Sequence, residues 1–218
     1  MTHEYMDEKI LKMVAEIKEN EEEQAKEAIL AKEAAEQNIA GGQSSVYGET
    51  INFAPHEFLA GKLHITIPCN WIDMEAELVK MKYPYESRPA IILTDDTMTI
   101  NLTVNHTKHA LTPEQVGFFV QDMKMLTDKS MKIQFMEDGL IQNEESGSPI
   151  GWYDFTISAI DEAIYNLMIV TSLDNRALIM SFNCLAKDLA RWKPIAFDMM
   201  KTIELNVNTR PGMDQTEA

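Results

Sequence analysis

No run of about 18 apolar residues interrupts this sequence, so no helix is expected to cross a membrane. Bases are in short supply, with 19 Lys and Arg against 35 Asp and Glu, a formal net charge of −16. Affinity for nucleic acid comes largely from Lys and Arg displacing counterions, and anionic lipid attracts the same side chains; both partners are disfavoured. A protein with a basic face or an apolar segment suits this surface better. Cysteine is nearly absent: only Cys69 and Cys184 occur, far apart. The N-terminal MTHEYMDEKILKMVAEIKEN lacks the basic and apolar regions of an export signal. Two reduced, buried thiols in a cytoplasmic protein are therefore expected, rather than a disulfide. Glycine is sparse too, and Gly41-Gly42 leads into no helix that would make a phosphate-binding loop.

What remains is ample for a core. Hydrophobic residues make up 45% of the 218 positions and charged residues 25%, which fits one domain with an appendage. Residues 4–38 are rich in Ala, Glu and Lys without Pro or Gly, and predict a long N-terminal helix within an acidic segment, 1–40. Its stripe of Ile10, Val14 and Ile17 fades at Glu21-Glu22-Glu23, a poor coiled-coil seam. The helix can lie idle, dock on a partner, or pair with a second copy to make a homo-oligomer. GGQSS reads as a flexible linker over 41–49, the globular domain as 50–205, and 206–218 as a disordered tail.

Within the domain the period switches to two. KLHITIP (62–68), AIILT (90–94), MTINLTV (98–104) and MKIQFME (131–137) read as strands, with Asp95-Asp96-Thr97 as a hairpin turn. Three longer strands follow, at 150–160, 163–173 and 176–184. EAELVKM (75–81) predicts a short helix. Thr112-Pro113-Glu114-Gln115 is a helix start, followed by Val116, Phe119, Val120, Met123 and Leu126 on one face. A last helix begins near Leu189 or Arg191. If Asp174-Asn175 is a two-residue hairpin, Leu173 faces Arg176, Leu167 faces Phe182 and Asn166 faces Asn183. Both faces of that hairpin carry apolar side chains, so both are covered, which predicts an α+β fold built as an α/β/α sandwich around a central antiparallel sheet.

Catalytic constellations are missing. None of the five histidines stands beside a nucleophile elbow, and both cysteines close strong strands. His106 and His109, three apart at the end of a strand, point to opposite faces and lie far from Asp95 and Asp96, a poor metal set. Asn166 and Asn183 form a candidate polar pair, bonded to each other or lining a small pocket. Fifteen methionines exceed what core periodicity absorbs, and an exposed Met-rich patch would suit an apolar partner segment. KYPYESRP (82–89) concentrates Tyr83, Tyr85, Glu86 and Arg88 between two prolines. It reads as a stiff connector into the AIILT strand, with a contact surface for a partner as its other reading.

GKLHITIPCNW, KYPYESRPAIILTDDTMTINL, DEAIYNLMIVTSLDNRALIMSFNC and RWKPIAFDMMKTIEL, in that order over residues 50–205, resemble the Mog/PsbP-like superfamily, above all its DcrB-like bacterial branch of uncharacterised proteins. The resemblance implies an α/β/α sandwich and proteins that act by binding others: a Ran-binding factor, an extrinsic photosystem subunit, chaperones of secreted effectors. It brings no catalytic residue to carry over, and the lipoprotein signal of many bacterial relatives is not found here. The expectation is a non-catalytic protein–protein interaction module, adaptor or chaperone-like, with no cofactor and no metal. The alternative is a small-molecule binding protein with a pocket near Asn166 and Asn183, and behind it a metal- or carboxylate-dependent enzyme.

Overall fold

Alternating apolar side chains build two antiparallel sheets in the computed structural model, which describes residues 18, 39, 41–46, 48–130, 133–142, 147–158 and 162–206. Strands β1 (Gln43–Val46), β2 (Glu49–Phe58), β3 (Leu63–Pro68) and β11 (Glu204–Leu205) form a small sheet in the order β1-β2-β3-β11. The large sheet runs β4 (Ile72–Asp73), β5 (Ile91–Thr94), β6 (Asn101–Ala110), β10 (Arg176–Leu185), β9 (Ala163–Leu173), β8 (Ile150–Ser158) and β7 (Ile133–Ile141). Three α-helices, α1 (Ala76–Lys82), α2 (Val116–Ser130) and α3 (Leu189–Lys201), and two 3₁₀ turns, Pro113–Gln115 and Ala186–Asp188, complete the described elements.

The β9–β10 ladder follows directly from its turn. Asp174 and Asn175 both adopt positive φ, 53° and 55°, which matches the right-handed twist of a two-residue hairpin. Leu173 pairs with Arg176, Leu167 with Phe182 and Asn166 with Asn183, as expected. On one face of this sheet Tyr165, Leu167, Ile169, Met180 and Phe182 are buried in a single core with Leu63, Ile65 and Ile67 of β3 and Trp192, Ile195 and Met199 of α3. On the other face, Val116 and Val120 of α2 pack on Tyr153, Phe155 and Val170. The central antiparallel sheet therefore has helices on both faces, but one outer layer is shared between α3 and the second sheet.

Several segments differ from the sequence reading. Residues 43–46 of the expected linker pair with β2, and Ser44 and Val46 are buried, because Gly42 and Gly48 use their positive φ to turn the chain rather than to loosen it. Strand β2 gave no periodic signal, and Pro55 stands inside it. That proline is tolerated because β1 pairs only with Glu49–Asn52, leaving β2 an open edge at Pro55. Strand β6 begins at Asn101 rather than 98, since residues 95–100 form a loop around the buried Asp95 carboxylate. Its Oδ1 accepts from the backbone N–H of Thr99 at 3.0 Å and of Ile100 at 2.9 Å. The predicted helix over 4–38 lies, but for Lys18, outside the described residues, as does the tail beyond Asn206.

Helix α2 starts where expected: the Thr112 N–H donates to Gln115 Oε1 at 3.1 Å, and Pro113 opens a single 3₁₀ turn ahead of it. Its apolar face ends sooner than expected. Leu126 is 65% exposed. Thr127 takes the sheet-facing place instead, its hydroxyl 3.1 Å from that of Tyr153.

Candidate interaction surface

The KYPYESRP stretch divides into a buried and an exposed half. Tyr83 caps α1, its backbone N–H donating to the Val79 carbonyl at 2.8 Å, and is half-buried. Burial raises its phenol pKa above the ordinary value, and the Asn183 side chain only partly offsets this. Tyr85, Glu86 and Arg88 are exposed, Tyr85 by 77%, and the Arg88 N–H closes a turn on the Tyr85 carbonyl at 3.2 Å. Of these four side chains only that of Tyr83 is partly buried.

Asn166 and Asn183 stand opposite each other in the ladder, yet each takes a different partner. Asn183 Oδ1 accepts from Asn101 Nδ2 at 2.8 Å, while Asn166 Nδ2 reaches the Ile164 carbonyl in its own strand at 3.4 Å. The Asn101–Asn183 bond links β6 to β10. Neither amide of the predicted pair lines either of the cavities described below.

His106 and His109 lie within the second half of β6. His106 bonds the Leu173 carbonyl at 2.9 Å and Arg176 at 3.0 Å; the His109 ring stands 5.0 Å from that of Phe119. Among the described residues no three His, Cys, Asp or Glu side chains gather as a metal site would require. Cys184 is buried, and burial pushes its thiol up to about 12. Cys69, expected to be buried, is exposed: Pro68 ends β3, and Cys69 begins the turn toward Trp71.

A cavity of about 580 Å³ forms a groove between the start of α2 and the end of β7, and it was not legible in the sequence. Phe118 and Gly117 line one wall, Leu140 and Gln142 the other, with Pro149 beyond. Phe118 is 79% exposed and Leu140 49%. Burial of Val116 and Val120 forces Phe118 outward, since the helix repeats every 3.6 residues. Leu140 faces the same way because of a bulge in β7. Phe135 pairs with Phe155, but Asp138 pairs with Tyr153, so Met136 and Glu137 together oppose Asp154. The extra residue flips the parity of the rest of the strand. Asp138 then reaches α2, where it accepts from Lys124 and, at 3.0 Å, from Gln121; those bonds hold its carboxyl below the usual range.

The expected Met-rich patch is split. Met125 and Met136 are exposed near the groove's two elements, whereas Met81 and Met98 are exposed beside α1 and the β5–β6 loop. Met74 belongs to the core.

Asp154, which the sequence did not single out, lies fully buried on the opposite face. It accepts from the Glu137 N–H at 2.7 Å, the Tyr165 hydroxyl at 2.9 Å and Lys193 Nζ at 2.8 Å. Burial opposes the charge on Lys193, but bonds to Asp154 and Glu137 outweigh it and hold its pKa above the ordinary lysine value. Lys193 also lines a second cavity, of about 330 Å³, with Phe197 and Pro194. With all three donors answered, Asp154 pins the β7 bulge and α3 to the sheet.

No protein-family model matches the sequence, and no curated protein matches it. Solved structures do. Cyanobacterial PsbP (CyanoP) of Synechocystis aligns at a TM-score of 0.50 and 11% identity, over 74% of this chain and 97% of that one. The Ran-binding protein Mog1p of Saccharomyces cerevisiae aligns at 0.43 and 11%, over 71% and 96%. LpqN of Mycobacterium tuberculosis, involved in cell envelope biogenesis, aligns at 0.39 and 11%, over 71% and 91%. The molecule is thus an α+β protein of two antiparallel sheets and three described helices. Its particular arrangement is similar to the fold of cyanobacterial PsbP. Among the described residues no helix is long and apolar enough to cross a membrane.

Proposed function

We propose that this protein is a non-catalytic interaction module, an adaptor or chaperone-like protein, that holds an apolar segment of another protein in the α2–β7 groove. The observation that carries this reading is the outward Phe118 ring, 79% exposed, beside an exposed Leu140 in a groove of about 580 Å³. Large apolar side chains exposed together around a concavity mark a binding surface more often than a solvated one. Glu114 on the rim and the net charge of −16 favour a segment flanked by Lys or Arg. Two free thiols, one exposed, suit a reducing compartment such as the cytosol.

Affinity purification with mass spectrometry from the native cell tests it, comparing the wild type with Phe118→Ser and Phe118→Ser/Leu140→Ser. Exposed positions tolerate such changes within about 0.5 kcal/mol, so the variants should keep their melting temperature. They should lose a partner that the wild type captures reproducibly. Recovery of the same proteins by all three, or of none by the wild type, would sink the reading.

A further inference from the structure

Strand β7 forms one wall of the α2–β7 groove, and it is also an end strand: among the described residues it pairs only with β8. Beyond the bulge, Asp138–Ile141 therefore presents a row of backbone N–H and C=O groups on its outer edge that no described residue answers. Sheet edges are commonly shielded by Lys or Pro, and this half of β7 carries neither. Its one charge, Asp138, is drawn onto α2 by Lys124 and Gln121. Gly139 contributes no side chain, and the Trp152 ring lies over it: a Cβ there would stand 2.8 Å from Trp152 Cζ2.

Both faces beside this edge are apolar. Asp138 and Leu140 face α2, where Phe118 and Leu140 flank the groove of about 580 Å³. On the α3 face the Trp152 ring meets Phe197 edge-on at 4.6 Å, and Phe197, Leu189 and Pro194 line the cavity of about 330 Å³. Glu137 and Lys193 line that cavity too, but they are paired with each other, and Lys193 also with Asp154.

A strand answers the edge and both faces together. Successive side chains of an extended chain point to opposite faces, so one added strand sends alternate residues to the Phe118 groove and to the Phe197–Trp152 surface. Its main chain meanwhile pairs with β7. A helix closes its own backbone hydrogen bonds, so lying in the groove it leaves the edge unanswered. The bulge interrupts the ladder at Met136 and Glu137, which limits continuous pairing to a strand of about four residues.

We propose that the partner segment in the groove is held as a short added β-strand, paired with Asp138–Ile141 and carrying apolar side chains on both of its faces. This rests on the groove's being the binding surface, and adds the conformation and the alternating chemistry of what it binds.

The test titrates the ¹⁵N-labelled full chain with the end-blocked peptide Lys-Val-Leu-Val-Leu-Val-Lys. Three further versions are N-methylated on the Val residues, on the Leu residues, or on both. Methylating alternate residues removes the donors of one strand edge and spares the other, at constant side chains. The parent, and at least one singly methylated version, should bind and slow hydrogen exchange about tenfold at the outward amides of Gly139–Ile141. The version methylated on both edges should bind about tenfold more weakly, the loss expected from about two main-chain hydrogen bonds. Phe118→Ser/Leu140→Ser should weaken the parent peptide as well. Equal binding by the version methylated on both edges overturns strand addition, and so does exchange that the parent peptide leaves unchanged. In either case the groove reading is decided separately, by partner capture. Outward amides already protected in the free chain also overturn the proposal. The edge is then taken, by a second copy if sedimentation shows a dimer and by another part of this chain if it shows a monomer.

Discussion

Asp154 is the residue on which most of the local order converges. Removing it strands the Lys193 ammonium against a buried sheet face and frees the Glu137 N–H and the Tyr165 hydroxyl. Breaking one member of a buried pair costs about 3–5 kcal/mol, so Asp154→Ala should lower stability by about 3 kcal/mol in a urea titration, with Glu137 retaining some of the Lys193 contact. Alkali should act nearby. The buried Cys184 thiol is pushed up to about 12, so the unfolded chain releases its proton first, and stability falls as pH rises above the ordinary thiol value of about 8.5. Tyr165, raised by burial and by Asp154, adds a second loss above about pH 10. The Lys193 contribution has the same sign: present below the ordinary lysine value, lost as pH climbs through the raised one. Melting temperatures at pH 8, 9 and 10 should fall progressively, and Cys184→Ala should flatten the first step.

At the scale of elements, α2 sits unusually close to the sheet. A Cβ on Gly151 would stand 2.5 Å from Val120 Cγ2 and 3.2 Å from Val116 Cγ1. Gly151→Ala should therefore displace the helix and destabilise the protein by about 1–3 kcal/mol, seen as a lower melting temperature with unchanged secondary structure by circular dichroism. Where local chemistry decides an element, it was readable from the sequence: the Asp174-Asn175 turn set the whole β9–β10 register, and Thr112 to Gln115 marked the start of α2. Where tertiary context decides, it was not. Strand β2 pairs despite Pro55 because the neighbouring strand ends before it, a fact about β1 rather than about Pro55. The β7 bulge depends on a carboxylate from the adjacent strand, and without it Leu140 cannot be placed on the Phe118 side. The groove escaped notice because outward Phe118 is identical, by composition alone, to an inward one.

For the molecule as a whole, charge governs encounter. A net charge of −16 makes association with a basic partner depend on ionic strength, since surface charges are screened within about 8 Å at physiological salt. Raising salt from 50 to 500 mM should slow association in a biosensor trace more than it speeds dissociation, the behaviour of steering rather than contact energy. The large sheet also has two ends to protect. One is β4, only two residues long and so a weak docking place for another strand. The other is the nine-residue β7, kinked in its middle by the bulge that Asp154 secures. Loss of that carboxylate therefore does more than lower a melting point. It straightens β7, the longer of the two end strands among the described residues, into a template for its own copies, so that the heated Asp154→Ala protein should raise thioflavin fluorescence and grow fibrils from seeds, while the wild type, its end strand still broken, does not.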